Sequence, residues 1–353
     1  MKPYGLGADF HLHPWSAFST VNPEGVNSRL DELLNEIRRI ADEVQKAGGN
    51  KIVIAGDIFH VRGSLAPLVL NPVKDCFRDL INDGFEIELD AGNHDAELKD
   101  VSRLSSAITA LEDVGCKVIN HPTYASNGDG NITFTVPWYK TVAELKAVLE
   151  ATTFNREETD LIIHAPIDDV IPGLPDHGLD AAYLASLGFK RVFSGHYHHH
   201  KDFGNGVYSI GALAHHTWSD VKSKAGFMIV HDDKVEWFKS HLPEFIEVDS
   251  TVEEDELPLI VDGNYVRAKL NTTKQKDIEE TRAYLMSLGA KGVTIVAQKE
   301  LSEVKRTGST VTAGATLDVS VEDYIKGQSH AREKDLSILC SEILNEARAV
   351  EVA

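Results

Sequence analysis

Ala91-Gly92-Asn93-His94-Asp95 follows immediately on the strand-like run Phe85 to Asp90, and a polar turn at a strand end is the recurring feature of this chain. Further polar clusters follow apolar runs in the same way. They are Asp9-Phe10-His11, Gly56-Asp57-Ile58-Phe59-His60, His164 and Gly195-His196-Tyr197-His198. Carboxylate, imidazole and carboxamide groups repeated at strand ends are the groups that a two-metal hydrolase requires.

The composition is that of an ordinary globular protein, because 42% of the 353 residues are hydrophobic and 25% are charged. No apolar run reaches the roughly 18 residues of a membrane span, and no basic region followed by an apolar one opens the chain. Neither membrane insertion nor secretion is predicted, and a cytoplasmic location is expected. Cys76, Cys116 and Cys340 are isolated, which argues against disulfides and thiolate zinc sites.

The formal net charge of −20 bears on the choice of partner. A protein that binds nucleic acid by itself usually carries a basic face. If nucleic acid is the substrate, the positive charge that binds it is therefore confined to a local region of this protein or is supplied by a partner.

Short apolar runs alternate with helical patterns up to about residue 240, which predicts strands joined by crossover helices. The predicted strands are 4–8, 51–55, 85–90, 116–120, 132–136, 160–163 and 190–194, followed by antiparallel strands at 206–210, 226–230 and 234–238. The predicted helices are 30–44, 67–81, 101–114, 142–149 and 179–187. We predict an α/β fold of two sheets sandwiched between helices.

A domain boundary is expected near residue 250, because Glu247 to Glu256 contains six acids and no base and Pro258 follows. Beyond it, a strand at 265–270, a helix at 274–288 and a strand at 292–297 predict a small α+β domain. Thr307 to Thr316 is rich in Thr, Gly and Ser and predicts a flexible linker. The predicted divisions are 1–250 for the main domain, 251–306 for the small domain, 307–328 for the linker and 329–353 for a terminal helix.

The polar clusters offer a mixed set of oxygen and nitrogen ligands. Alternate residues at a strand end point the same way, so Asp9 and His11 can share an ion, as can His196 and His198. Asp57 has two oxygens and can bridge two ions. With the Asn93 oxygen and the His164 imidazole, the set suits Mn²⁺, Fe or Zn²⁺ and is unlike the all-oxygen sites of Ca²⁺.

Two further histidines are candidates for catalysis. His94 is adjacent to Asn93 and is placed to protonate or stabilise a leaving oxygen. His60 follows Asp57 by three residues and is a candidate to orient His94 or a substrate phosphate.

The order Asp-x-His, Gly-Asp-x-x-His, Gly-Asn-His-Asp, His and Gly-His-x-His resembles the calcineurin-like metallophosphoesterase superfamily. Further segments resemble one branch, the nuclease subunit of double-strand-break repair complexes, called SbcD in bacteria and a recombination endonuclease subunit in T-even-like phages. These segments are Gly56-Asp57-Ile58-Phe59-His60-Val61-Arg62, Thr135-Val136-Pro137-Trp138, Arg191 to His198 and Tyr208-Ser209-Ile210-Gly211, of which the last three look most like the phage form.

The resemblance implies a specific site and specific partners. One metal ion, with Mn²⁺ expected, is held by Asp9, His11, Asp57 and His198, and a second by Asp57, Asn93, His164 and His196. His94 is then the catalytic acid, assisted by His60. The substrate is DNA. The residues 251–306 correspond to a capping domain, and the helix 329–353 binds an SbcC-type coiled-coil ATPase, which would supply a basic surface. A homodimer through the helices at 67–81 and 101–114 is also expected.

Other readings stay open. The acidic charge favours a small-molecule phosphodiesterase or phosphatase on the same core, and a third reading is a metal-binding subunit that only scaffolds the ATPase. The terminal helix either docks on the ATPase or folds back on the small domain. The additional histidines His13, His199, His200, His215 and His216 either support the metal ligands or contact substrate phosphates.

Overall fold

The computed structural model describes residues 1–62, 64–95, 107–126, 130–297, 316–327 and 332–351. The chain forms two compact units, Met1–Ala297 and Gln298–Ala353. Parts of the predicted helix 101–114 and of the predicted linker lie outside the described residues.

The strands and helices are numbered in chain order. The strands are β1 (Tyr4–Gly7), β2 (Lys51–Ala55), β3 (Glu86–Asp90), β4 (Lys117–Ile119), β5 (Thr123–Ser126), β6 (Ile132–Val136), β7 (Asp160–His164), β8 (Arg191–Gly195), β9 (Lys201–Asp202), β10 (Val207–Ser209), β11 (Gly226–Val230), β12 (Val235–Lys239), β13 (Phe245–Val248), β14 (Tyr265–Leu270) and β15 (Gly292–Ala297). The α-helices are α1 (Ser28–Lys46), α2 (Pro67–Asn82), α3 (Val142–Glu150), α4 (Ala181–Ser186), α5 (Leu257–Val261), α6 (Gln275–Ser287), α7 (Leu317–Gly327) and α8 (Glu333–Glu351).

Two six-stranded mixed sheets form the larger part of the first unit. The first has the order β12-β11-β1-β2-β3-β4 and the second β5-β6-β7-β8-β10-β9. In the first sheet β1 to β4 are parallel, and in the second β6, β7, β8 and β10 are parallel. The predicted α/β fold with two sheets flanked by helices is confirmed.

The helices cover the outer faces because their apolar residues recur at helical spacing. In α1 the Asn27 side chain caps the N-terminus by accepting from two main-chain N–H groups. The apolar residues that α1 buries form one stripe: Leu30, Leu33, Leu34, Ile37, Ile40, Ala41 and Val44. Between the sheets, Leu6, Val53, Ile162 and Phe193 are fully buried in a separate cluster. This inter-sheet core fixes the distance between the strand ends of the two sheets.

Two elements differ from the predictions. Segment 206–210 was predicted to be antiparallel, but β10 runs parallel to β8 and is antiparallel only to the two-residue β9. The chain returns through the turn at Gly204 and Gly206, which inserts β10 between β8 and β9. In the predicted helix 101–114, the described part Ala107–Val114 is a 3-10 helix.

A three-stranded sheet of order β13-β14-β15 completes the first unit. The strand-helix-strand pattern of 265–297 was predicted correctly, with α6 between β14 and β15. All three strands are parallel, so the arrangement is β-α-β-α-β and differs from the predicted strand-helix-strand pattern only by one further strand and helix. The difference arises because Phe245–Val248 adds a parallel strand before the predicted boundary at 250. Whether 251–306 is a separate capping domain stays a prediction.

The second unit contains α7 and α8, which contact each other. A linker was predicted for 307–328, but Leu317–Gly327 is helical. The Thr-, Gly- and Ser-rich composition ends at Thr316, and Leu317, Val321 and Ile325 then recur at helical spacing. The predicted terminal helix is present as α8. No described helix is long and apolar enough to cross a membrane.

Candidate metal centre

The carboxyl ends of parallel strands from both sheets meet at one edge of the inter-sheet core. Asp9, Asp57 and Asn93 follow β1, β2 and β3 of the first sheet. From the second sheet, His164 ends β7, and His196 and His198 follow β8. The structure thus brings together side chains that are up to 189 positions apart, counting from Asp9 to His198.

Asp57 lies at the centre of this group and is almost fully buried. Its Oδ1 is 3.5 Å from His164 Nε2, and its Oδ2 is 3.7 Å from His11 Nε2. Oδ1 also accepts a hydrogen bond of 2.8 Å from the main-chain N–H of His94. One carboxylate therefore faces two different histidines with its two oxygens.

On the Oδ2 side, His11 Nε2 lies 3.1 Å from His198 Nε2. Asp9 is fully buried and accepts from the His196 main-chain N–H at 2.9 Å. Ligand atoms of Asp9, His11 and His198 all lie within 4.8 Å of one another. These three residues therefore form a compact group with the donor geometry of a metal site.

On the Oδ1 side, Asn93 Oδ1 lies 3.0 Å from His164 Nε2 and 2.9 Å from His196 Nδ1. Asp9, Asp57 and His164 also have ligand atoms within 4.8 Å of one another. All the predicted ligands of both ions are therefore in one place, and Asp57 lies between the two groups.

Hydrogen bonds fix which ring nitrogen of two histidines faces the centre. His164 Nδ1 lies 2.8 Å from the Ala55 carbonyl oxygen, and His198 Nδ1 lies 2.6 Å from Asp220 Oδ1. Because a carbonyl or carboxylate oxygen only accepts, Nδ1 is the donor in each ring. Nε2 of His164 and of His198 is thus directed to the centre, as in protein metal sites where a ring N–H is bound behind the ligand.

The electrostatics favour positive charge between Asp57 and His164. Burial opposes ionisation of Asp57, but the His164 imidazole keeps the pKa of this carboxyl below its usual value. Burial likewise disfavours charge on His164, yet the Asp57 carboxylate raises the pKa of His164 to about 10. Burial and the neighbouring His164 lower the pKa of His196 to about 3. The neutral imidazole is the form that binds a metal ion, so His196 is in the protonation state that a ligand requires.

Four of the predicted ligands have left-handed backbone. The φ angles are 53° at Asp9, 43° at His11, 54° at Asp57 and 105° at His196. They account for four of the seven positive-φ residues other than glycine in the described ranges. Such conformations cost about 1–3 kcal/mol each and concentrate at functional sites, where the surrounding structure maintains them.

Two glycines allow the loops to approach the ligands. At Gly56, where φ is 87°, an added Cβ would lie 2.1 Å from His164 Nδ1. At Gly92, an added Cβ would lie 2.2 Å from Asp57 Oδ1. The glycines of the Gly-Asp and Gly-Asn turns are therefore required by close packing around the centre.

The two candidate catalytic histidines lie beside His11. The His94 ring centroid is 4.8 Å from that of His11 and 5.4 Å from that of His60, on which it stacks at 18°. His94 Nδ1 is 2.8 Å from the His60 carbonyl oxygen and donates to it. Burial and the nearby His94 lower the pKa of the His60 imidazole to about 4. His60 is thus neutral near pH 7 and can support His94 without competing for its proton.

Two residues that support the centre were missed in the sequence. Asp95 is fully buried and accepts from the main-chain N–H groups of Ile58, Phe59 and Gly92, which ties the β2 and β3 loops together. Burial and the charge of Asp57 raise the pKa of the Asp95 carboxyl to about 7. Its place in Gly-Asn-His-Asp was the available signal.

The other missed residue, Asp220, acts from a distant loop together with His216, one of the extra histidines. Asp220 binds His198 Nδ1 and accepts from the His216 main-chain N–H at 2.8 Å. His216 Nε2 donates to the Asp9 carbonyl oxygen at 2.9 Å. No local pattern marks Asp220 as a partner of His198, because the contact depends on how residues 199–219 fold.

The remaining extra histidines differ in the groups that they contact. His13 packs 5.1 Å from the His60 ring. His200 Nδ1 bonds to the Ser209 carbonyl oxygen, and His215 bonds to Ser223 and to the Phe245 N–H. His199 has a buried Nδ1 without a hydrogen-bond partner among the described residues. Among these histidines, His13 contacts the His60 ring, and His216 contacts the rings of His11 and His198.

The residues fit divalent metal ions. Two carboxylates, one carboxamide oxygen and four imidazoles converge, and this mixed set is typical of Mn²⁺, Fe or Zn²⁺. The facing Nε2 atoms of His11 and His198 would repel unless a proton or a cation lay between them.

Comparison with protein families identifies the class of protein. Residues 8–200, more than half of the chain, match the family model of the calcineurin-like phosphoesterases. The chain therefore belongs to the calcineurin-like phosphoesterase family, whose members use divalent metals.

Individual relatives are more distant. Exonuclease subunit 1 of Enterobacteria phage T4 is 24% identical over 199 residues, which cover 55% of this chain and 56% of that protein. The match therefore spans little more than half the length of the relative.

Among solved structures, a Thermus thermophilus protein shares 13% identity with a TM-score of 0.39 and covers 67% of this chain and 98% of its own. A dimetal phosphatase from Danio rerio shares 12% identity with a TM-score of 0.37, covering 64% and 91%. A nuclease from Pseudomonas putida shares 15% identity with a TM-score of 0.30, covering 67% and 87%.

Proposed function

We propose that this protein is a DNA nuclease that hydrolyses phosphodiesters at a two-metal site, and that it serves as the nuclease subunit of an SbcCD-like recombination and repair complex. The observation that carries the proposal is the position of Asp57. Its two oxygens face His164 and His11 at 3.5 Å and 3.7 Å, the arrangement expected of a residue that bridges two ions. A residue shared in this way is characteristic of two-metal hydrolases of phosphate esters.

In this proposal Asp9, His11, Asp57 and His198 hold one ion, and Asp57, Asn93, His164 and His196 hold the other. Bound there, two divalent ions, expected to be Mn²⁺, supply Lewis acidity that stabilises the charge developing on the phosphoryl oxygens. Ala55 and Asp220 keep Nε2 of His164 and His198 directed to the centre. Asp95 keeps the β2 and β3 loops together so that Asp57 and Asn93 hold their positions.

His94 provides the proton for the leaving oxygen. Its Nδ1–H is committed to the His60 carbonyl oxygen, which leaves Nε2 as the atom available to a substrate. Its main-chain N–H holds Asp57, so the ring stays in register with the bridging carboxylate. A positioned general acid of this kind contributes about 10²–10⁴-fold to the rate.

DNA as the substrate is supported by the similarity to exonuclease subunit 1 of phage T4 and by the motifs that resemble the repair nucleases. The net charge of −20 indicates that the chain does not bind DNA strongly alone. A coiled-coil ATPase of the SbcC type would supply the missing basic surface, and α8 is the candidate contact. Ile338, Leu339 and Ile343 of this helix are exposed, as a helix that docks in a groove requires.

Incubation of the purified chain with Mn²⁺ tests the substrate class. Labelled single-stranded DNA, linear duplex DNA, bis-p-nitrophenyl phosphate and p-nitrophenyl phosphate are supplied in parallel, with chelator as a blank. We expect hydrolysis of DNA and of the diester. Hydrolysis of the monoester alone would contradict the nuclease proposal and leave the two-metal site intact.

The acidic charge favours a second candidate, a phosphodiesterase or phosphatase of small molecules. Such substrates do not require a basic face. A kcat/KM for the small esters that greatly exceeds that for any DNA would support this alternative.

Deletion of residues 329–353 tests the contact with the ATPase. We expect loss of pull-down by an SbcC-type subunit and retention of Mn²⁺-dependent diester hydrolysis, because the proposed ligands all lie in Met1–Ala297. Aggregation or loss of the thermal transition would show instead that α8 is needed for folding.

The proposed homodimer has one exposed candidate contact on α2. Leu68 is 69% exposed, whereas Val69, Val73, Phe77 and Leu80 are buried in the core. Light scattering of the wild type and of Leu68→Asp, without the ATPase, tests whether α2 forms the interface.

A further inference from the structure

A cavity of about 270 Å³ opens beside His196. Trp138 and Tyr139 form an aromatic wall, and Leu145, Ala165 and Pro166 provide apolar lining. Apart from His196, none of its lining residues has a role in the proposed hydrolysis. The cavity therefore needs an explanation of its own.

The aromatic wall is held in register with the metal centre. The Trp138 ring stacks on the His196 ring with centroids 5.0 Å apart and an angle of 26°. The Trp138 main-chain N–H donates to the Ala91 carbonyl oxygen at 2.9 Å, which ties this loop to the turn that carries Asn93. The following helix α3 is fixed by a capping box between Thr141 and Glu144. The cavity is thus preformed and has a fixed position relative to the ligands.

The lining is suited to a flat, largely apolar group with polar edges. Lys140 and His177 also line the cavity and are exposed, whereas Leu145 and Ala165 are buried. A phosphate would leave its charge against Leu145 and Ala165. An aromatic base instead stacks on aromatic side chains and presents its polar edge to the rim.

The volume limits the ligand further. Pockets for drug-sized ligands span about 300–1,000 Å³, so this cavity accepts one base and not a stacked or paired set. A nucleotide reaches it only when its base leaves the stack, which costs least in single-stranded or frayed DNA.

We infer that this cavity binds the base of a nucleotide flanking the scissile phosphate, and that it directs the enzyme to unpaired strand ends. The inference rests on the proposed nuclease function. Tyr139 and Trp138 are specificity residues in it. Stacking of one base on an aromatic side chain corresponds to a factor of about 5–150.

The test uses single-stranded oligonucleotides in which one linkage is a phosphodiester and all others are methylphosphonates. One version is intact, and two versions lack the base on one or the other side of the cleavable linkage. With wild-type protein and Mn²⁺, we expect kcat/KM to fall at least fivefold for one of the two abasic versions. The ratio of intact to abasic kcat/KM is the readout, so general losses of activity cancel.

Three variants locate the effect. Tyr139→Ala removes part of the wall and Val142→Trp fills the cavity from α3, and we expect both to bring the ratio close to 1. Ala147→Trp adds the same side chain on an exposed position of α3 and should leave the ratio at its wild-type value. Tyr139→Phe keeps the ring and should retain most of the ratio.

Two results would overturn the inference while leaving the nuclease proposal standing. One is efficient cleavage with equal kcat/KM for the intact and both abasic versions. The other is a base preference that persists unchanged in Tyr139→Ala and Val142→Trp. Absence of cleavage of every oligonucleotide, with small esters still hydrolysed, would instead contradict the nuclease proposal itself.

Discussion

The two sheets contribute different chemistry to the centre. The first sheet carries the proposed oxygen ligands Asp9, Asp57 and Asn93, together with His11. Of the proposed ligands, the second sheet carries only imidazoles, those of His164, His196 and His198. Each sheet also orients ligands of the other: the β2 carbonyl of Ala55 holds His164, and the main-chain N–H of His196 holds Asp9. Neither half is complete by itself, so the packing between the sheets is part of the active site.

The two halves also meet different energetic requirements. A buried carboxylate costs several kcal/mol unless hydrogen bonds or opposite charges compensate it. Asp9, Asp57 and Asp95 obtain this compensation from main-chain N–H groups of the loops. The imidazoles need only one acceptor behind each ring, as His164 has in Ala55 and His198 in Asp220. Substitution of a buried carboxylate should therefore reduce activity more than substitution of a residue that accepts a hydrogen bond from an imidazole.

The largest effect is expected for Asp57→Ala, because this residue faces both groups of ligands. We expect loss of both ions and a fall in kcat/KM of at least about 10³-fold, since metal stabilisation of the transition state is worth several kcal/mol. Mass spectrometry of bound metal and the rate of diester hydrolysis measure the two quantities.

Asp169→Ala is the matched control. Asp169 also has a positive φ, of 65°, but its side chain is exposed and it is not one of the predicted ligands. It should retain both ions. Retention of two ions in Asp57→Ala would refute the bridging role.

The next effect is expected for His94→Ala, because His94 is proposed to protonate the leaving oxygen and is not a proposed metal ligand. We expect a rate loss of about 10²–10⁴-fold with both ions retained. The exposed His121→Ala should be close to wild type in the same assay. Rates near wild type for His94→Ala would assign the proton transfer to another group.

A smaller effect is expected for Asp220→Asn, which weakens the hydrogen bond of 2.6 Å to His198 Nδ1. Because outer partners of metal ligands typically contribute about 10–100-fold in affinity or activity, we expect a loss in that range. The loss should affect the ion held by His198 more than the other, which a metal titration would show as one weakened and one unchanged site. Asp232→Asn, an exposed change, is the control. Equal weakening of both metal sites would show that Asp220 does not act specifically on the ion held by His198.

The smallest effect on activity is expected for Glu88→Gln, because Glu88 lies between the two sheets and away from the metal centre. Its effect on stability should be clear. Glu88 is buried, lies 3.3 Å from Lys51 Nζ, and accepts from Thr135 of the second sheet at 3.2 Å. Glu88→Gln leaves Lys51 buried without its counter-charge, so the free energy of unfolding should fall by about 3 kcal/mol or more. Glu86→Gln, exposed on the same strand, should change it by less than about 0.5 kcal/mol.

The pH dependence sharpens this prediction. Burial opposes ionisation of Glu88, but Lys51 and Lys117 keep its pKa below the unfolded value. A carboxyl with a lowered folded pKa stabilises the protein above its unfolded pKa, and this contribution is lost as pH falls through the folded pKa. The difference in unfolding free energy between wild type and Glu88→Gln should thus shrink in acid. A difference independent of pH would show that the charge of Glu88 contributes nothing.

Part of the site was predictable because its ligands are local to strand ends. Asp9, Asp57, Asn93, His164, His196 and His198 each follow an apolar run directly. Parallel strands of one sheet deliver their carboxyl ends to one edge, so sequence position alone indicated convergence. The strand-helix alternation likewise predicted the two-sheet α/β fold, since hydrophobic periodicity records which face of each element is buried.

The tertiary structure decided what depends on contacts between distant segments. The parallel insertion of β10, the binding of His198 by Asp220 and the stacking of Trp138 on His196 have no local signal, because their partners are separated by loops whose paths the sequence pattern does not specify. The ring nitrogen that each histidine directs to the centre was also undetermined, since it depends on which acceptor packing places behind the ring. The amino-acid sequence by itself thus determined the ligand types and the strands that carry them, whereas the packing of the two sheets determined their orientation, their charge and the cavity beside them.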